Sequence, residues 1–166
     1  MSGMLQKGER APAIDLEDLD GRRRSPLEGA AGSARSLLVF VKDECPTCRY
    51  TLPFLERVHR GLEGSGARIW GISQDDRGRS RAFAASTGVT FPLLLDAKGY
   101  AVSRAYGIEI VPSLFVLDHE GVIERSIAGF RRSAIEEIAT DLAAAAGIPA
   151  PRVFREGEQI LETKPG

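Results

Sequence analysis

The only two cysteines of this 166-residue chain stand three apart, in Cys45-Pro46-Thr47-Cys48. They follow the apolar run Leu37 to Val41 and open a stretch with helical periodicity. A helix N-terminus presents unpaired backbone N–H groups and the positive end of the macrodipole, and both favour a thiolate over a thiol. Two thiols at that place can trade a dithiol for a disulfide without unfolding the chain. Redox exchange is therefore the first chemistry to weigh.

Metal binding is the competing use of such a pair. A structural zinc site needs four ligands, and beyond the pair this chain offers two isolated histidines, His59 and His119. Position 59 lies eleven residues past Cys48 with no second histidine three to five away. No zinc site is expected, and each histidine reads as a surface or packing residue. A permanently reduced pair of small hydrophobes is the remaining structural alternative.

Composition narrows the partners. The chain is 43% hydrophobic and 27% charged, ordinary for one globular domain. With 22 basic and 23 acidic residues it has a net charge of −1, no footprint for nucleic acid or a membrane surface. The cluster Arg22-Arg23-Arg24 reads as a solvated hairpin edge. Two cysteines are too few for a disulfide-stapled secreted scaffold. No stretch approaches the ~20 apolar residues needed to span a bilayer. Met1 to Glu9 lacks the basic and apolar regions of a signal peptide, so the expected compartment is the cytoplasm unless the sequence starts after a leader or anchor.

The elements that would hold the thiols follow from the pattern. Ala13 to Leu19 alternates apolar and acidic residues, and Asp20-Gly21 marks a hairpin turn. The run 37–41 predicts a buried central strand. Leu52, Leu55, Val58 and Leu62 recur at helical spacing after the cysteines, with Pro53 inside that helix and Gly61 and Gly64 at its end. Arg68 to Ser73 predicts a second strand, and Asp75 to Thr87 a helix capped by Asp75 or Asp76 and closed by Gly88. Phe91 to Leu95 leads into a short helix near Tyr100 to Tyr106. Strands at Ser113 to Leu117 and Val122 to Ala128 flank a turn, and Ser133 to Ala146 predicts a closing helix. This order predicts an α/β sandwich, a central mixed sheet with helices on both faces. The tail from 150 to 166 is read as docked or loose, without a choice between them.

Taken together, these features resemble the thioredoxin superfamily, and most closely its redoxin branch with the TlpA- and ResA-like proteins. The resemblance covers residues 8 to 146 and rests on motifs in order. Gly8-x-x-Ala11-Pro12 precedes a short hairpin, and a buried strand runs into Cys45-x-x-Cys48. Pro53 sits eight residues after the first cysteine, Trp70-Gly71-Ile72-Ser73 is similar to the second central strand, and Phe91 to Asp96 looks like the branch's insert. Val111-Pro112-Ser113 then opens a strand. The resemblance implies a thioredoxin-like three-layer sandwich over residues 1–149, with an N-terminal β-hairpin and a central insert, followed by a C-terminal tail at 150–166. It further implies a cis Val111–Pro112 peptide beside the thiols, with Val111, Ser113, Pro46 and Thr47 bordering an extended substrate. In that reading Cys45 is the nucleophile, Cys48 the resolving thiol, and Pro112 part of the catalytic surface.

Two departures stand out. The buried aspartate that thioredoxins place six residues before the first cysteine is Val39 here, and the glutamate that ResA-type proteins place three after the second is Thr51. The proton of Cys48 needs another acceptor, and Glu44, Lys42 and Arg49 are the charges adjacent in sequence. Trp70, Phe91, Tyr106 and Ile110 read mostly as core or rim packing.

The expected function is thiol–disulfide exchange with protein disulfides, coupled to an upstream thiol reductant or oxidant. No cofactor or metal is expected, and a monomer is favoured. A peroxiredoxin is the enzymatic alternative, but the hydroxyl and proline it requires before the reactive cysteine are Lys42 and Leu38 here. A copper carrier of the Sco type is the binding alternative, and it uses a wider CxxxC with a distal histidine.

Overall fold

A computed structural model describes residues 3–28 and 34–166 of the chain. Its central sheet has five strands, in the spatial order Leu93–Leu95, Arg68–Ser73, Ser36–Val41, Ser113–Leu117 and Ile123–Ala128. Strand β3 (Ser36–Val41) lies in the middle, parallel to β4 (Arg68–Ser73) and antiparallel to β6 (Ser113–Leu117). Strand β5 (Leu93–Leu95) runs parallel to β4, and β7 (Ile123–Ala128) runs antiparallel to β6. The sheet is mixed because the βαβ crossover at its front gives parallel pairs and the Asp118–Gly121 turn gives an antiparallel one.

The apolar run of β3 is continuous because both faces of this strand are covered. Leu37, Val39 and Val41 point into a core shared with helices α1 (Pro46–Gly61) and α4 (Arg132–Ala146). Leu38 and Phe40 point into the opposite core, with Trp70, Phe115 and Tyr106. Helix α3 (Ala101–Ala105) covers that second face, and α2 (Arg77–Thr87) packs Phe83 into the first. Each such side chain contributes about 1.5–3 kcal/mol of burial, and together they fix β3 rigidly beneath the thiols.

The N-terminal hairpin pairs β1 (Leu16–Glu17) with β2 (Arg23–Arg24). The expected cap of α2 is Asp76, whose Oδ1 accepts the Arg79 N–H at 2.8 Å. Gly88 and Gly147 close α2 and α4 in the left-handed region, as a C-terminal glycine does. Helix α1 continues through Gly61 to a cap at Leu62.

Residues 150–166 lie on the body of the fold. Pro151 rests on Gly61, where any Cβ would run into its ring. Val153 is buried in the core of α1 and α4, and Phe154 packs on Phe54 and Phe130. Arg57 holds Glu158 through two N–H groups at 2.8 and 2.7 Å. Strand β9 (Thr163–Lys164) then pairs antiparallel with β8 (Phe130–Arg131) at the base of α4.

Candidate active site

Strand β3 ends at Val41, and four residues later the chain turns into α1 with Cys45 as its N-cap. The sulfur does what a Ser or Asp oxygen does elsewhere: Cys45 Sγ accepts the N–H of Cys48 at 3.0 Å. Pro46 takes the first helical position, where its missing N–H costs nothing. The fold thus puts one thiol at the positive end of a sixteen-residue helix and the other one turn inside it. Both are free thiols.

The two sulfurs sit in unlike surroundings. Cys45 is 9% exposed and faces a groove, whereas Cys48 is wholly buried. Burial pushes the Cys48 thiol well above the ordinary thiol range, and the hydrogen bond with Cys45 adds to this. A backbone hydrogen bond at Lys42 opposes the shift, and the negative charge of Asp75 reinforces it.

The loop before β6 closes the other side. Its Val111–Pro112 peptide is cis, and the Val111 carbonyl accepts the Cys45 thiol proton at 3.2 Å. Ser113 is wholly buried beneath this loop, and its hydroxyl donates to the Ile110 carbonyl at 2.6 Å. It shapes the loop from below. Ile110 is 45% exposed on the groove, while Trp70, Phe91 and Tyr106 are core residues. Thr47 is buried, and its hydroxyl donates to the Pro165 carbonyl at 2.5 Å. The structure therefore gathers Cys45, Cys48, Pro46, Thr47, Val111 and Pro112 around one point.

Of the charges adjacent in sequence to the thiols, Arg49 and Glu44 have ionic partners of their own, and Glu44 also borders the groove. Arg49 pairs with Asp43, and exposed Glu44 lies 3.7 Å from Arg79. His59 stacks edge-on against Phe91, and His119 is exposed beside Glu120. Val39 and Thr51 are both fully buried, and the Thr51 hydroxyl bonds back to the Thr47 carbonyl at 2.6 Å. Neither position carries a charge.

The acid that does reach the site is Asp75. It is buried, and its Oδ2 accepts the N–H of Asp43 at 2.6 Å, tying the β4–α2 loop to the loop that precedes Cys45. Sequence reading offers Asp75 only as a helix cap. Its true place follows from the parallel pairing of β3 with β4, which ends the two strands side by side at Val41 and Ser73.

A thioredoxin-like sandwich with a dithiol at the N-terminus of its first long helix, facing a cis-proline loop, defines a class of redox protein. The comparisons give the family. Residues 7–126 match the model of the AhpC/TSA family, and the chain belongs to it. It is 31% identical to the thioredoxin-like protein YneN of Bacillus subtilis, over 72% of this chain and 70% of that one. It is 27% identical to the thiol-disulfide oxidoreductase ResA of Halalkalibacterium halodurans, over 81% and 76% of the two chains. A chloroplastic peroxiredoxin Q of Triticum aestivum matches at 30% identity, over 74% of this chain and 58% of its own. Among solved structures, a Chlorobium tepidum chain assigned as a thiol:disulfide interchange protein DsbE superposes with a TM-score of 0.76. That match has 25% identity and covers 86% of this chain and 99% of that one. Among the described residues, no helix is long and apolar enough to cross a membrane.

Proposed function

We propose that the protein is a thiol–disulfide oxidoreductase whose working group is the Cys45–Cys48 couple. The observation that carries this is the asymmetry of the two thiols: one at the helix cap facing a groove, the other one turn deeper and held protonated by burial. The thiolate of Cys45 attacks one sulfur of a substrate disulfide in line with the S–S bond. A Cys45–substrate disulfide forms and the other substrate sulfur leaves as a thiolate. Cys48 then gives up its proton and attacks the Cys45 sulfur, and the second substrate thiolate departs. Two electrons pass from the dithiol to the substrate, and the leaving thiolates take up protons. An upstream thiol reductant restores the dithiol, or an oxidant drives the cycle in reverse.

The substrate in this reading is a disulfide bordered by Pro46, Thr47 and Val111, with Pro112 holding the groove wall. Ser113 supports that wall through Ile110. The proposed compartment is the cytoplasm, which fractionation of cells expressing the full chain would check. The direct test of the reaction is Cys48→Ser, which removes the second step and should accumulate a mixed disulfide on Cys45, visible by mass. Peroxide consumption that survives loss of Cys48 in the presence of an external thiol would instead mark a peroxidase.

A further inference from the structure

The groove beside Cys45 has a volume of about 520 Å³. Three segments bound it: residues 44–47 at the start of α1, residues 109–111 before the cis-proline, and residues 164–166. The third wall comes from a part of the chain that supplies no reactive group. It crosses the base of α4 as strand β9, with the Arg132 N–H donating to the Glu162 carbonyl at 2.9 Å. Tyr50 Oη accepts the Leu161 N–H at 3.0 Å. Thr47 then holds the Pro165 carbonyl, and residue 166 lies so close that a Cβ there would meet the carbonyl of Val111. Val111 is the residue whose carbonyl takes the Cys45 thiol proton.

An incoming disulfide must bring one sulfur onto Cys45 with its partner sulfur in line behind it, so the chain on either side needs room along the groove. The segment 162–166 occupies one of those directions, and Cys45 is left only 9% exposed. The volume lies in the range of small-molecule clefts, roughly 300–1,000 Å³. The segment is fastened upstream by the Arg57–Glu158 pair and Tyr50, along 162–164 by Arg132 and the pairing with β8, and beside the sulfur by the Thr47–Pro165 hydrogen bond. Past the β8–β9 pairing, the part nearest the sulfur is held by the side chain of Thr47.

We propose that residues 162–166 are a specificity strap: they admit a low-molecular-weight disulfide to Cys45 and must lift before a folded protein's disulfide can engage. This rests on the oxidoreductase reading and adds to it which substrates react without rearrangement. Because the strap and the groove wall at Val111 touch, a bulky substrate and the strap compete for the same place.

The test uses the full chain and the double variant Tyr50→Phe/Glu158→Gln, which removes two holds on the stretch that leads into the strap, away from the sulfurs. Reduction of hydroxyethyl disulfide and of insulin is followed in each, with alkylation of Cys45 by iodoacetamide and by a bulky polyethylene-glycol maleimide. The double variant should raise the insulin kcat/KM about fivefold or more, the net worth of one or two hydrogen bonds, and leave hydroxyethyl disulfide within about twofold. It should speed the bulky maleimide selectively. A ratio of the two substrates that does not move, or two rates that move together, would overturn the strap while leaving the oxidoreductase intact. A wild-type chain that reduces neither disulfide overturns both. Should the double variant unfold, Glu158→Gln alone is read by the same alkylation ratio, which must rise for the strap to stand.

Discussion

The sulfur of Cys45 stands between two partners: it accepts the N–H of Cys48 at 3.0 Å and donates its thiol proton to the carbonyl of Val111 at 3.2 Å. Ionisation leaves the first bond in place and removes the second. The thiolate therefore stays seated on the helix terminus while its link to the cis-proline loop opens, freeing the groove side of the sulfur for an incoming disulfide. The dithiol joins thiol and loop by a hydrogen bond that a thiolate cannot donate.

Asp75 places a negative charge against Cys48 in a buried setting. Substituting Asp75→Asn keeps an acceptor for the Asp43 N–H and removes the charge. The alkylation rate of Cys48 near pH 9, followed in a Cys45→Ser background, should rise, because loss of the charge eases ionisation of the buried thiol. Asp75→Ala should in addition cost about 1–3 kcal/mol in urea unfolding, because the Asp43 N–H loses its partner. An unchanged rate in Asp75→Asn would remove Asp75 from the site's electrostatics.

Reduced protein should lose stability in mild alkali. Cys48 binds its proton more tightly in the folded chain than in the unfolded one. Its contribution is whole below the unfolded thiol value, roughly 8.5, and drains away as pH climbs toward the raised folded value. Buried Tyr106 is pushed up as well, so the informative window ends near the ordinary tyrosine value, about pH 10. Between these limits the urea midpoint of the reduced wild type should decline, and that of Cys48→Ser should decline less. Equal slopes would contradict the assignment of this effect to Cys48.

The tail should loosen in acid. The Arg57 guanidinium, with help from the backbone N–H of Arg155, holds the Glu158 carboxyl down at about 2, against an ordinary 4.5. A depressed carboxyl supports the docked state above its unfolded value and loses that support as pH falls toward the folded one. The hydrogen-exchange protection of residues 150–166, taken against the intrinsic rate at each pH, should therefore fall from about pH 4.5 downward, and by more than that of α1. Glu158→Gln should show the same loosening at neutral pH.

Much of the fold was legible because its elements carry local signals. The run from Leu37 to Val41 reads as a strand covered on both faces, and Asp76, Gly88 and Gly147 punctuate helices by their own chemistry. The dithiol was legible for the same reason, its spacing and its seat at a helix start being adjacent in sequence. What stayed hidden depends on contacts distant along the chain. Asp75 reads locally as a cap, and only the register of β3 on β4 carries it to Asp43. Residues 162–166 have no periodicity of their own, and their course follows from Val153, Phe154 and Glu158 finding α1. Ser113 looked like a groove residue from its neighbour Pro112, yet strand alternation turns its side chain inward to Ile110.

Cys45 and Cys48, read in this way, form one two-electron couple. The measurement that meets it most directly is a redox titration of the full chain in dithiothreitol or glutathione buffers, with both thiols counted by alkylation and mass. A single transition is expected in which the two thiols vanish together, with the oxidised-to-reduced ratio changing tenfold for each ~30 mV. Loss of one thiol without the other, or two thiols that stay reduced across the whole range, would contradict it.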